Sequence, residues 1–230
     1  MNTPNYKTIG FFGDSFCATT SSLHSLMNGY TTYINKLVNH YGVDIVNLGH
    51  GGSSVWDVVL TQLQPLIDAN SIPDICVFVW TDPSRLYHKS VRNINCVSSE
   101  GTHLLDRSVW RAAKQYYRQL HDYEQTKLAY TSLLQYVDNN ILSALPTTTK
   151  VVHLWSFGNP ASWDNIGFLS NNITYPHTWK HGVEIRPALA SISLSDRSFE
   201  VLAHDKSANH LEGNTKNDIV FEWIRNAIDV

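Results

Sequence analysis

The chain has 230 residues, of which 43% are hydrophobic, and this size fits one α/β domain, residues 1–230, better than two small domains. A net charge of −3 and the lack of any run of Lys or Arg argue against nucleic-acid binding, which depends on neutralising phosphates. The first seven residues lack the pattern of a signal peptide, and no apolar stretch reaches the roughly 18 residues that a membrane span needs. We therefore expect a soluble cytoplasmic protein that is not bound to a membrane.

The first half of the chain alternates between predicted strands and helices. Its third apolar run is uninterrupted, which is typical of a parallel strand covered on both faces. Gly42 predicts the end of the first helix, and Ser54 is a candidate amino cap for the second. In chain order the predicted elements are strand 8–12, helix 31–41, strand 44–48, helix 55–69 and strand 75–80.

The second half combines long helices with two irregular segments. Residues 106–140 are mostly helical with a predicted break near Asp122, strand 150–156 follows, and helix 218–228 ends the pattern. We predict insertion loops at 84–101 and 157–187. This alternation predicts a three-layer α/β/α sandwich with a central parallel sheet in a flavodoxin-like strand order. In that order the carboxyl ends of the first three strands lie side by side.

Three polar motifs follow those three strands, and a fourth lies near the carboxyl terminus. Gly13-Asp14-Ser15 follows strand one, Asn47 to Ser54 forms a glycine-rich turn after strand two, and Thr81-Asp82 follows strand three. The fourth motif is Asn209-His210-Leu211. Each motif alone also suits a tight turn or a helix cap. Their order is more specific, because the predicted sheet brings three of them to one edge.

In order and spacing the four motifs resemble those of the SGNH, or GDSL-type, hydrolase family, and the resemblance extends from Ile9 to Ile228. It implies an esterase site without a metal or cofactor. Ser15 would be the nucleophile, and its backbone N–H and that of Gly52 would bind the oxyanion. His210 would be the general base, since a neutral imidazole accepts a serine proton near neutral pH.

The sequence departs from the family pattern at two positions. Asp82 stands in the place of an asparagine that donates to the oxyanion, and an ionised carboxylate only accepts. Either Asp82 is protonated, or Thr81 or Arg85 supplies the donor, or catalysis is impaired. Ser207 stands in the place of the aspartate that orients the histidine, and Asp205 is the candidate replacement; otherwise a backbone carbonyl holds the imidazole.

Two further charged residues are candidates for substrate binding. Asp14 belongs to the Gly-Asp-Ser turn, and Arg85 lies three residues beyond Asp82. Arg85 is either a clamp for the substrate or the ion-pair partner of Asp82.

The cysteines and tryptophans indicate less about function than the four motifs do. Cys17, Cys76 and Cys96 are an odd number without metal-ligand spacing, so neither a disulfide framework nor a zinc site is expected. We interpret Cys17, two residues after Ser15, as space-filling rather than nucleophilic. The tryptophans near the second insertion either form a sugar-stacking wall or fill the core. They are Trp155, Trp163 and Trp179.

The leading hypothesis is a serine esterase of SGNH type that acts on small acyl esters, with O-acetylated carbohydrate as the candidate substrate class. The alternative is a glycan- or ligand-binding module that keeps the fold and has lost efficient turnover, because Asp82 and Ser207 replace functional residues. A more distant hypothesis is a phosphate or nucleotide binder that uses the turn from Gly49 to Ser54.

Overall fold

The computed structural model describes residues 6–18, 31–89, 91, 94, 107–157, 177–186, 188–193, 211 and 213–230. Within these residues the chain forms a five-stranded sheet in the order β2-β1-β3-β4-β5, and every neighbouring pair is parallel. This confirms the predicted parallel sheet and its flavodoxin-like strand order. No helix in this part of the chain is long and apolar enough to cross a bilayer.

The strands are β1 (Thr8–Gly13), β2 (Asp44–Asn47), β3 (Ile75–Trp80), β4 (Lys150–Trp155) and β5 (Val183–Glu184). The helices are α1 (Tyr33–Tyr41), α2 (Val55–Asp57, Val58–Leu63 and Gln64–Asp68), α3 (Arg107–Gln119), α4 (Tyr123–Tyr136), α5 (Leu189–Ser193) and α6 (Asn214–Ile228). The middle part of α2 is a π-helix, and α4 continues through a π-helical turn, Val137–Ile141, into a 3₁₀ turn, Leu142–Ala144.

The core lies on both faces of the sheet. Successive side chains of a strand point to opposite faces, so Phe11 packs on the side of α1 and α6 while Phe12 packs on the side of α2 and α4. All six side chains of β3 are buried, because helices cover this central strand on both sides. The Phe12 and Phe78 rings stack at 4.9 Å across the β1–β3 pair.

Local capping chemistry sets several helix boundaries where the sequence predicts them. The Ser54 side chain accepts a hydrogen bond from Asp57 N, and Gly42 ends α1 at a φ of 64°. Asp122 caps α4 through Gln125 N, so the predicted break in the long helical segment is the start of a second helix.

Three elements differ from the prediction. Helix α6 begins at Asn214 rather than at 218, after Gly213 with a φ of 81°. The short strand β5 and helix α5 were not predicted, since neither carries a long periodic pattern. Most of the two predicted insertions, 84–101 and 157–187, lie outside the described residues.

The segment that carries β5 is held to the end of α4 by Asp138. This buried carboxylate accepts hydrogen bonds from His177 Nε2 (2.9 Å), His181 Nδ1 (2.9 Å) and the backbone N–H groups of Lys180 (2.9 Å) and His181 (3.1 Å). Desolvation opposes ionisation of Asp138, but these hydrogen bonds keep its pKa below the usual range. The carboxylate therefore fixes the edge of the sheet.

His153 is a buried histidine that is held in its neutral form. Its Nδ1 accepts a hydrogen bond from Trp80 Nε1 (3.0 Å), so the proton is on Nε2, which donates to His181 O (2.9 Å). The Trp179 ring stacks on the imidazole at 3.8 Å between centroids. Burial lowers the pKa of His153 to about 3.

We expect His153 to make the fold sensitive to acid. The unfolded chain takes up this proton near pH 6.5 and the folded chain only near pH 3, so the stabilisation is complete above pH 6.5 and is lost as the pH falls. Between pH 7 and pH 5 the loss should be about 2 kcal/mol. Denaturant unfolding at both pH values should show a smaller loss in His153→Gln, whose neutral amide can keep both hydrogen bonds. An equal loss in both proteins would contradict this account.

Candidate active site

The carboxyl ends of β2, β1 and β3 lie side by side, and a polar loop follows each strand. The described part of the first loop covers residues 14–18, the second loop covers 48–54, and the third covers 81–85. In open parallel sheets, ligands bind at this edge where the strand order reverses. The three loops therefore form the candidate active site.

The first loop places Ser15 at the edge of the sheet. A turn follows β1, closed by the hydrogen bond from Cys17 N to Asp14 O (3.1 Å). Asp14 and Cys17 are fully buried, whereas Ser15 is only half-buried. Burial, with the Asp14 charge in addition, raises the pKa of the Cys17 thiol well above its usual value, which fits a space-filling role. Ser15 is the residue of this turn that stays accessible.

The Asp14 carboxylate joins the first loop to the third. Its Oδ1 accepts a hydrogen bond from Phe16 N (3.1 Å), and its Oδ2 accepts one from Thr81 Oγ1 (2.8 Å) and one from Arg85 Nη1 (3.2 Å). A fully buried carboxylate requires such partners. Asp14 thereby fixes the backbone on which Ser15 lies.

The second loop packs directly on the first. Asn47 Nδ2 donates to Cys17 O (2.8 Å), Asn47 Oδ1 accepts from Gly49 N (3.0 Å), and His50 N donates to Gly13 O (3.1 Å). A Cβ atom on Gly49 would lie only 2.6 Å from Cys17 Sγ, so the close contact requires glycine there.

Gly52 lies further along the second loop, with a φ of 79°. This left-handed conformation favours glycine. The following residue, Ser53, is fully buried, and its hydroxyl donates to Asp57 Oδ2 (2.6 Å). The hydrogen bond of Ser53 therefore holds Gly52 in place, next to the loop that carries Ser15.

Gln62 of helix α2 joins the end of β1 to the second loop, and sequence analysis did not identify it. Its Oε1 accepts a hydrogen bond from Gly13 N (2.7 Å), and its Nε2 donates to Gly13 O (3.0 Å) and Ser53 Oγ (3.1 Å). The side chain is 1% exposed and lies in the π-helical part of α2. A polar residue four positions after Val58, on an otherwise apolar helix face, was the available signal.

In the third loop, Asp82 shapes the chain locally. Its Oδ1 accepts a hydrogen bond from Ser84 N (2.8 Å) and its Oδ2 one from Ser84 Oγ (3.1 Å). Burial raises the pKa of Asp82, although the Arg85 charge and the hydrogen bonds from Ser84 act in the opposite direction. Arg85 N donates to Asp82 O (3.3 Å), which closes a turn that brings Arg85 back toward the sheet.

Arg85 forms its ion pair with Asp14 and not with Asp82, the partner that the sequence suggested. The Asp82 carboxylate instead accepts hydrogen bonds from Ser84 N and Ser84 Oγ. Arg85 Nη1 also donates to Ser53 O (3.1 Å), and the guanidinium lies over the Phe157 ring, 5.4 Å from its centroid. A buried side chain from the third loop therefore contacts both of the other loops.

The structure thus assembles the loops that carry Ser15, Gly52 and Asp82. The Thr81 hydroxyl is hydrogen-bonded to Asp14, and the Thr81 carbonyl accepts a hydrogen bond from Tyr130 Oη (2.7 Å). The predicted base His210, the candidate orienting residue Asp205 and the neighbouring Ser207 lie outside the described residues.

Two of the three tryptophans near the second insertion are core residues. Trp155 is 2% exposed and Trp179 is 8% exposed. Trp163 lies outside the described residues. Within the part of the chain that is described, no group of three or more His, Cys, Asp or Glu side chains could hold a metal ion.

Comparison with solved structures identifies the fold. A variant of Axe2, an acetylxylan esterase from Geobacillus stearothermophilus, superposes with a TM-score of 0.51 at 12% identity, covering 100% of this chain and 97% of that one. The chain therefore shares the fold of this esterase, a parallel sheet flanked by helices. The psychrotrophic esterase EstA from Pseudoalteromonas sp. matches at a TM-score of 0.45 and 11% identity, covering 97% of both chains. No protein-family model and no curated protein sequence matches the chain.

Proposed function

We propose that this protein is a serine esterase that hydrolyses small acyl esters, with acetyl esters as the preferred class. The observation that carries the proposal is the position of Ser15. It is the accessible residue of a buried turn at the end of β1, and that turn is bonded directly to the loop containing Gly52. The SGNH-type fold supports this assignment, because the first and second loops occupy the edge where such a sheet binds ligands.

In the proposed mechanism, Ser15 Oγ attacks the ester carbonyl carbon while His210 takes the hydroxyl proton. The carbonyl π electrons move to oxygen, and the N–H groups of Ser15 and Gly52 stabilise the resulting charge. Collapse of this intermediate breaks the bond to the alcohol, which leaves with the proton from His210. Water, deprotonated by His210, then attacks the acyl-serine; the bond to Ser15 Oγ breaks, Oγ takes the proton from His210, and the carboxylic acid is released. Asp205 is proposed to orient His210.

Carbohydrate is the proposed source of the acetyl ester. Axe2, whose fold the chain shares, is an acetylxylan esterase, and this supports O-acetylated sugars as first substrates to test. We propose Asp14 and Arg85 as the charged residues that shape this binding site, since both lie between the three loops.

The proposed base gives a direct test. His210→Ala should lower kcat for p-nitrophenyl acetate by about 10²- to 10⁴-fold, because it removes the group that takes the Ser15 proton in the proposed mechanism. His40→Ala, which removes an exposed histidine of α1, should keep the wild-type rate. Initial rates at pH 7.5 measure both.

A wild-type protein with no more activity than His210→Ala would contradict the proposed esterase. In that case binding of acetylated oligosaccharides without turnover would favour the binding module instead. The position of Asp82 motivates that alternative, because both of its carboxylate oxygens accept hydrogen bonds from Ser84.

A further inference from the structure

The third loop carries four polar side chains, and those of Thr81, Asp82 and Ser84 are hydrogen-bonded within the protein. The Thr81 hydroxyl donates a hydrogen bond to Asp14 Oδ2 (2.8 Å). Asp82 accepts from Ser84 at both carboxylate oxygens. None of these three side chains has a donor left for a substrate, whereas the Arg85 guanidinium carries five N–H donors in a rigid plane.

The Arg85 guanidinium lies between the first loop, which carries Ser15, and the second loop, which carries Gly52. Its Nη1 bonds to Asp14, the residue before Ser15, and to the carbonyl of Ser53, the residue after Gly52. The candidate nucleophile and the second candidate oxyanion donor are therefore each one residue from a direct contact of this group. The side chain is 6% exposed, so the cation acts at low effective dielectric, where electrostatic interactions are strong.

Part of the guanidinium lacks a partner. Among the described residues, both of its hydrogen bonds are made by Nη1, and Nε is buried without any hydrogen-bond acceptor. Buried donors are almost always paired, and an unpaired one destabilises the folded protein. Because the guanidinium is planar, the two bonds on Nη1 and the Phe157 ring fix the direction of the remaining N–H groups.

We propose that Arg85 is a catalytic residue that donates to the substrate carbonyl oxygen as negative charge forms there. This proposal rests on the proposed esterase function and adds a cationic donor from the third loop. When the bond from Ser15 Oγ to the carbonyl carbon forms, the π electrons move to oxygen and Arg85 stabilises them. Arg85 transfers no proton, and when the intermediate collapses the electrons return to the carbonyl bond.

Arg85→Lys and Arg85→Gln test the proposal by steady-state hydrolysis of p-nitrophenyl acetate. Lysine keeps a positive charge opposite Asp14 but cannot reproduce the direction of a planar guanidinium. Both variants should lose about 10²- to 10³-fold in kcat, the loss typical of a missing oxyanion donor, with KM changed less than threefold. Arg186→Gln, which removes an exposed arginine paired with Glu184, should keep wild-type kcat.

Chemical rescue separates a donor from a structural ion pair. Arg85→Gly should regain at least tenfold in kcat when guanidinium chloride is added at millimolar concentration, and sodium chloride should not restore it. If kcat of Arg85→Lys stays within threefold of wild type, Arg85 only neutralises Asp14 and the proposal is overturned. A change in KM alone, or one confined to esters with a carboxylate, would make Arg85 a substrate clamp and also overturn it.

Two further results complete the test. If the single variants do not fold, Asp14→Asn combined with Arg85→Gln removes both buried charges, and wild-type kcat in that double variant would overturn the proposal. A wild-type protein that does not hydrolyse the ester contradicts the proposed function itself. In contrast, an active wild type with active Arg85 variants contradicts the role of Arg85 alone.

Discussion

Ser15→Ala is expected to reduce kcat for p-nitrophenyl acetate by about 10⁴-fold or more, because it removes the only atom that forms the proposed acyl intermediate. Stability should change by less than about 0.5 kcal/mol, since the side chain is half-buried and the turn is held by the backbone and side chain of Asp14. Initial rates and thermal unfolding measure the two effects separately.

Ser71→Ala is the matched control for this loss. Ser71 is an exposed serine between α2 and β3, so its replacement should leave kcat unchanged. If Ser15→Ala retains more than a tenth of the wild-type rate, Ser15 is not the nucleophile. The activity would then have to be assigned to another residue of the edge.

Asp14→Ala is expected to destabilise the folded protein by about 3–5 kcal/mol, because it leaves the buried Arg85 charge without its partner. The substitution also removes the acceptor for Thr81 Oγ1 and Phe16 N, which hold the first loop. We therefore expect kcat to fall as well, although Ser15 is intact. Asp14→Asn should lose less stability, since the amide keeps one acceptor oxygen at the same place.

An exposed ion pair provides the control for Asp14. Lys36 and Asp218 are 2.7 Å apart, but the Asp218 side chain is 55% exposed. Asp218→Ala should therefore cost no more than about 1 kcal/mol in free energy of unfolding. Urea unfolding of the two alanine variants compares them directly. Equal losses would contradict the role given to burial of the Asp14–Arg85 pair.

Strand β3 and the starts of two helices were predictable because their signals are local. The apolar run of β3 is uninterrupted. Ser54 and Asp122 cap their helices through residues three positions along the chain. Helix α6 was predicted too short because Asn217 belongs to its first turn. The Asn217 side chain bonds to Tyr33 N, Leu211 O and Gly213 O, contacts that a periodicity analysis does not detect.

The candidate site was only partly predictable for a related reason. The positions of Ser15 and Gly52 follow from strand ends and glycine-rich turns. The partners of Gln62 are 9 and 49 residues away, so nothing near it in the sequence indicates them. The pairing of Arg85 with Asp14 spans 71 residues, so nothing near Arg85 in the sequence indicates it.

The most direct test of the central claim is covalent labelling of Ser15 by a fluorophosphonate. In this reaction a serine Oγ attacks phosphorus, fluoride leaves, and the serine proton passes to the base. Mass spectrometry of the intact protein should show one adduct, and peptide mapping should place it on Ser15. The adduct should be absent from Ser15→Ala. No adduct on the wild-type protein, or an adduct on a different residue, would contradict an esterase built on Ser15.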